Sequence, residues 1–239
     1  MNLAKRFASL PWFFLFSSFC MSFDPYFLIA LVIVITIHEF SHAVTANFFG
    51  DPTAKVAGRI SLNPFAHLDI LGTLMLFLIH IGWGKPVPVN PRYFRYPKRD
   101  EALTALAGPA SNLLFALILA LPVKYLGHSM IEPLARLLNT TLDVSILLFA
   151  FNMLPFPPLD GSKILGLLVP QRFHLAYQRY LYQGVLYFAL FLLFDQFVLL
   201  QSFNLSILQF FIGTIFTFVK SLVFFGYLGL VGLDFGLTQ

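Results

Sequence analysis

His38, Glu39 and His42 fall in the pattern His-Glu-x-x-His within "ALVIVITIHEFSHAVTANFFG", residues 30 to 50. Residues four apart on a helix share one face, so both imidazoles can reach a single ion. Glu39 sits about 100° further round, where it can take a proton from an activated water without being a ligand itself. The chemistry such a set performs is metal-assisted hydrolysis. The stretch contains no Lys or Arg. Desolvating an unpaired Glu39 there would be costly, and a divalent cation close by offsets that cost.

Catalytic zinc normally keeps three protein ligands and one open position. The third should be a carboxylate or imidazole at similar depth. Asp24, Asp51, Asp100, Glu101, Glu132 and Asp143 fall in loops or at predicted helix ends. Asp160 differs: in "LLFAFNMLPFPPLDGSKILGLL" apolar residues continue on both sides of it. Pro155, Pro157 and Pro158 cannot sustain a helix, and Gly161 permits a tight turn. Broken backbone at membrane depth is tolerated where it lines a cavity. The expected ligands are therefore His38, His42 and Asp160, with one Zn2+ between them.

Two asparagines join the candidates, because buried amides need partners. Asn152, eight residues before Asp160, is read as a donor to a substrate carbonyl or to a developing oxyanion. Asn112 follows Gly108 and Pro109 in "ALAGPASNLLFALILAL" and is read as supporting the site, with Gly108 allowing close helix contact. Hydrogen bonding between helices is the alternative for both. His67, His80, His128 and His174 lack paired spacing and are expected to be structural or interfacial.

The elements that must position these groups are membrane helices. Of 239 residues 58% are hydrophobic and only 11% charged, against about 25% charged in a soluble domain. The net charge of +4 is small and its carriers gather in a few loops, which argues against a nucleic-acid partner. Cys20 is the single cysteine, so neither an internal disulfide nor a cysteine zinc cluster is available. A bilayer core needs about 20 apolar residues per helix. The segments that qualify are about 26–49, 101–123, 142–159, 181–200 and 205–229. Residues 67–89 hold a shorter apolar piece flanked by glycines and prolines, predicted to be re-entrant or interfacial. Residues 7–23 read as a retained hydrophobic segment that crosses the membrane or lies in its interface. The expected fold is an all-α membrane protein of about five or six transmembrane helices, a single domain over 1–239 with its core at 26–170.

Loop charge gives an orientation. Lys55, Arg59, Lys85, Arg92, Arg95, Lys98 and Arg99 lie in 50–100, and Lys163, Arg172 and Arg179 in 160–180. The connection at 124–141 holds only Lys124 and Arg136. The positive-inside rule puts the first two regions in the cytoplasm provided 67–82 does not span, so charge alone does not settle the orientation. Depth agrees: for His42 to meet Asp160, residues 49, 101 and 160 must share one face, so 67–82 must dip in and return. The expected location is the cell (inner) membrane, multi-pass, with the site nearer the cytoplasmic face.

His-Glu-x-x-His in a membrane helix, then "AGPASN", then "NMLPFPPLDG", in that order, resembles the site-2 protease family of intramembrane zinc metalloproteases. The likeness covers roughly residues 26 to 170 and is closest to compact bacterial and archaeal members; "GRISLNP" and "GWGKPVPVNPRYF" look like connecting segments of that branch. It implies His38, His42 and Asp160 as zinc ligands, Glu39 as base and Asn152 as substrate-binding. It also implies a membrane-embedded hairpin between the first two motifs. The aspartate follows Pro-Leu rather than Asn-Pro, and substrate selection is not expected to rest on a PDZ or CBS module. The implied partners are a transmembrane protein substrate and the lipid bilayer; neither the substrate's identity nor an oligomeric state can be read. A non-enzymatic membrane metal-binding protein, such as a transporter or an inactive protease-like scaffold, is the alternative. A transporter, however, needs no glutamate beside its ligands as a base. A protease of the prenyl-protein type would need a glutamate as third ligand, and neither Glu101 nor Glu132 has suitable surroundings.

Overall fold

A computed structural model describes residues 24–79, 82–126, 129–203 and 205–231. The 7–23 segment, His80 and His128 lie outside the described residues. The regular elements of this range are helices: α1 (Pro25–Phe48), α2 (Thr53–Val56), α3 (Ile70–Ile79), α4 (Pro97–Leu126), α5 (Glu132–Asn152), α6 (Asp160–Gly166), α7 (His174–Phe194) and α8 (Ile207–Val231). A π-helical stretch, Asp195–Leu200, and a final turn, Gln201–Phe203, prolong α7. Among the described residues five helices are long and apolar enough to cross a membrane: α1, α4, α5, the run Gln171–Phe203, and α8. The chain is a multi-pass membrane protein.

Small residues bring the helices together. Ala30, Ala43 and Ala46 on α1, Ala102, Ala105, Ala116 and Ala120 on α4, and Ala150 on α5 are all buried. Without a hydrophobic gradient between lipid and protein, close approach through small side chains is what holds membrane helices together. Ala116, Leu119 and Ala120 of α4 pack with Leu142 and Ile146 of α5 and with Phe216, Val219 and Val223 of α8. Ala30 and Val34 meet Val144, which seats α1 against α5.

Two contacts set the relative directions. Asp24 caps α1, accepting from the Tyr26 amide at 3.1 Å, and its other oxygen meets Arg136 near the start of α5 at 3.1 Å. At the opposite end of α1, His42 reaches the Thr104 carbonyl near the start of α4. The end of α1, the start of α4 and the end of α5 therefore share one end of the bundle, as the depth argument required. The returning 49–96 segment is tied there too, since buried Asp51 accepts from the Asn90 amide at 2.7 Å. With 10 residues, α3 is too short to span. Leu68 and Gly84 form an isolated antiparallel bridge.

The third span departs from expectation. It runs from Glu132 to Asn152 rather than 142–159, and its preceding connection is correspondingly short. Pro133 lies at its first turn, where a missing N–H costs nothing. At the other end Pro155, Pro157 and Pro158 stop helical geometry. Asp143, expected at a helix end, lies inside α5 and pairs with Lys220 of α8 at 2.5 Å.

Candidate metal centre

His38 and His42 face α4 from the second half of α1, and Asp160 approaches as the first residue of α6. All three are buried, at 5%, 8% and 8% exposure. The two Nε2 atoms are 3.0 Å apart, and Asp160 Oδ2 lies 3.1 Å from His38 Nε2 and 3.3 Å from His42 Nε2. Ligands about 2.0–2.1 Å from a tetrahedral zinc ion are roughly 3.3 Å from one another. The triangle of donors has that size. Among the described residues this is the one group of three His, Cys, Asp or Glu side chains that converges closely enough to hold an ion.

The surroundings fix the rings. His42 Nδ1 donates to the Thr104 carbonyl at 2.7 Å, which turns the lone pair of Nε2 toward the cluster. Pro109, inside α4, cannot donate to the Ala105 carbonyl and loosens the helix just beside Thr104. His38 Nδ1 lies 3.0 Å from the Asn112 amide nitrogen, while Asn112 Oδ1 is buried without a partner. Half a turn of that amide satisfies the oxygen, makes His38 Nδ1 the donor and frees Nε2 to ligate. The orphaned oxygen thus fits a metal-loaded site. Asn112→Ala is expected to weaken zinc binding by about 10–100-fold, read by chelator competition, with the helices intact.

Gly108 is the cradle of the cluster. A Cβ there would lie 2.3 Å from His42 Nε2 and 2.6 Å from His38 Cε1. Gly161 does the same for Asp160: a Cβ would lie 2.3 Å from the Leu154 carbonyl oxygen. Both glycines act by allowing close approach, one of helix to helix and one of α6 to the broken 153–159 stretch.

Glu39 stays outside the ligand set. Its Oε2 accepts from the Val87 amide at 3.2 Å, so the 84–88 segment passes beside it. Asn152 is not drawn into the cluster; its amide donates to the Leu148 carbonyl one turn back, at 3.1 Å. His67 is fully buried and donates from Nε2 to the Ser61 carbonyl at 2.7 Å, apart from the metal ligands. His174 begins α7 and is exposed. The Thr104 carbonyl and the Val87 amide are backbone groups that residue types do not reveal. Arg59 had a weak signal, being the charged residue of "GRISLNP", and proves to be buried.

Relatives share this chain's sequence. "Putative zinc metalloprotease YwhC" of Bacillus subtilis (strain 168) is 41% identical over 157 residues, 63% of this chain and 72% of the relative. "Putative zinc metalloprotease Rip2" of Mycobacterium tuberculosis is 32% identical over 140 residues, 56% of this chain and 53% of the relative. Its counterpart in Mycolicibacterium smegmatis is 34% identical over 137 residues, 52% of this chain and 50% of the relative. The chain spans about half the length of the Rip2 proteins. No protein-family model and no solved structure matches it. The extent of the Bacillus match settles what the order of the three motifs suggested: this chain belongs to the site-2 protease family of zinc metalloproteases.

Proposed function

We propose that this protein is an intramembrane zinc metalloprotease that hydrolyses peptide bonds within or near transmembrane segments, as in regulated intramembrane proteolysis. The observation that carries the reading is the position of His38 and His42. They lie on a helix apolar enough to span a bilayer, and buried Asp160 meets them from a neighbouring element. His38, His42 and Asp160 would hold the ion. When bound, zinc supplies Lewis acidity toward water and toward a peptide carbonyl.

The chain's own groups move the protons. Glu39 accepts the proton of the attacking water and later delivers it to the leaving nitrogen. The Asn152 amide has a second N–H beyond the one given to Leu148, and that N–H is the proposed donor to the developing oxyanion. Asn112 and Gly108 keep the imidazoles in place. Water enters from the end of the bundle where α1 ends and α4 begins. Loop charge supports assigning that end to the cytoplasmic face of the cell membrane.

A helical substrate hides its peptide bonds and must unwind locally. The 84–88 segment is non-helical and its Val87 amide meets Glu39, which supports a role in pairing with an unwound substrate strand. Pro86 and Pro88 have no N–H, so these two residues can pair only through their carbonyls. Replacement of residues 84–88 is expected to depress cleavage; unchanged cleavage would remove this step.

The test of the whole reading is capture. The full chain carrying Glu39→Gln is expected to retain transmembrane fragments from its own membranes, identified by mass spectrometry. Retention of soluble proteins alone would overturn it.

A further inference from the structure

Arg59 is a cation buried outside the metal cluster, with 4% of its surface exposed. One terminal nitrogen donates to the Lys85 carbonyl, and Nε is buried with no partner. Among the described residues no carboxylate forms a direct ion pair with it. A guanidinium in such a position is costly unless a nearby anion offsets it. Burial weakens Arg59's hold on its proton, and the Glu39 charge opposes that loss.

The backbone connects the same two residues. The Lys85 carbonyl held by Arg59 is two residues from the Val87 amide that Glu39 accepts at 3.2 Å. The Lys85 amide donates to the His67 carbonyl at 2.8 Å, and His67 Nε2 donates to the Ser61 carbonyl at 2.7 Å. Residues 59–68 and 84–87 are thus knotted together beside the base. Pro86 and Pro88 fix φ on either side of Val87, so a displacement at Lys85 is passed along the chain rather than absorbed.

We propose that Arg59 is a positioning residue for proteolysis. It holds the Lys85–Val87 backbone where the Val87 amide meets the Glu39 carboxylate. The proposal rests on Glu39 being the proton acceptor. It assigns Arg59 no contact with substrate or metal.

The experiment compares Arg59→Gln, Arg59→Lys, Val87→Pro and the Arg59→Gln/Val87→Pro double variant with the native full chain in nanodiscs. The probe is a quenched-fluorophore transmembrane peptide that the native chain cleaves. Zinc per chain is measured on the same preparations, and Trp83 emission in a Trp12→Phe background reports the placement of the segment next to Gly84. Arg59→Gln is expected to lower kcat by about 10–100-fold, with a smaller rise in KM because the displaced segment also pairs with substrate. Zinc content stays native and Trp83 emission shifts. Arg59→Lys recovers most of the rate. Val87→Pro deletes the amide given to Glu39 and loses a similar factor; the double variant falls no more than about threefold below the slower single, since both act on one contact.

Native kcat in Arg59→Gln, loss of zinc with the rate, or a double variant equal to the product of the singles would each overturn the proposal. Glu39→Gln measured in parallel separates the two failures. Full activity there would defeat the protease mechanism itself. Inactivity there with native Arg59→Gln would defeat only the role of Arg59.

Discussion

Glu39→Gln is expected to lower peptide-bond cleavage by roughly a thousandfold or more while leaving about one zinc ion per chain. Glutamine matches glutamate in shape but cannot accept a proton from water at neutral pH. The proposed donor atoms are His38 Nε2, His42 Nε2 and Asp160 Oδ2, and the substitution touches none of them. The Val87 amide keeps an acceptor in the glutamine oxygen, so the 84–88 segment stays in place. Activity and metal content must therefore separate. Zinc lost with cleavage retained would contradict both the ligand set and the role of the base. A transporter or scaffold would show no cleavage to lose.

The second large effect belongs to a residue with no side chain. Gly108→Ala would set a Cβ 2.3 Å from His42 Nε2 and 2.5 Å from His42 Cε1. Neither imidazole can swing aside cheaply, because His42 is held by the Thr104 carbonyl and His38 by Asn112. Either α4 moves away from α1 or the rings leave the triangle. Both outcomes spoil the site, and zinc affinity should fall by about 100-fold or more, beyond the usual cost of losing an outer hydrogen bond. Chelator competition on purified protein reads this directly. Leu114→Ala serves as the control, since Leu114 is 59% exposed on the same helix. Native zinc affinity in Gly108→Ala would show that helix contact does not set the ligand geometry.

Much of this site could be read from residue types. His38, Glu39 and His42 declared themselves by spacing, and Asp160 by being the acid embedded in apolar, proline-broken sequence. Gly108 and Asn112 were legible as candidates, and they lie against the imidazoles, because a glycine and an amide inside an apolar helix need a reason. Hydropathy placed three spans closely but opened the fourth seven residues after the start of α7 and missed the start of α5 by ten. Arg136, Asn139, Thr140, Thr141 and Asp143 resemble a loop by composition. In the fold their polarity is absorbed locally and at a distance. Asn139 donates to the Ala135 carbonyl, Thr141 to that of Leu137, and Asp143 pairs with Lys220, 77 residues further on. A sliding window of hydropathy sees neither kind of partner. The contacts to Thr104 and Val87 stayed hidden for another reason: they use backbone atoms, which every residue carries.

The coordination shell itself is the most direct point to measure. Zinc-edge X-ray absorption on the purified full chain should give four nitrogen or oxygen neighbours at about 2.0–2.1 Å, two of them imidazoles, at about one ion per chain. Asp160→Ala, and separately His38→Ala and His42→Ala, should each empty most of the site. Full zinc occupancy with an unchanged shell in Asp160→Ala would contradict the site described.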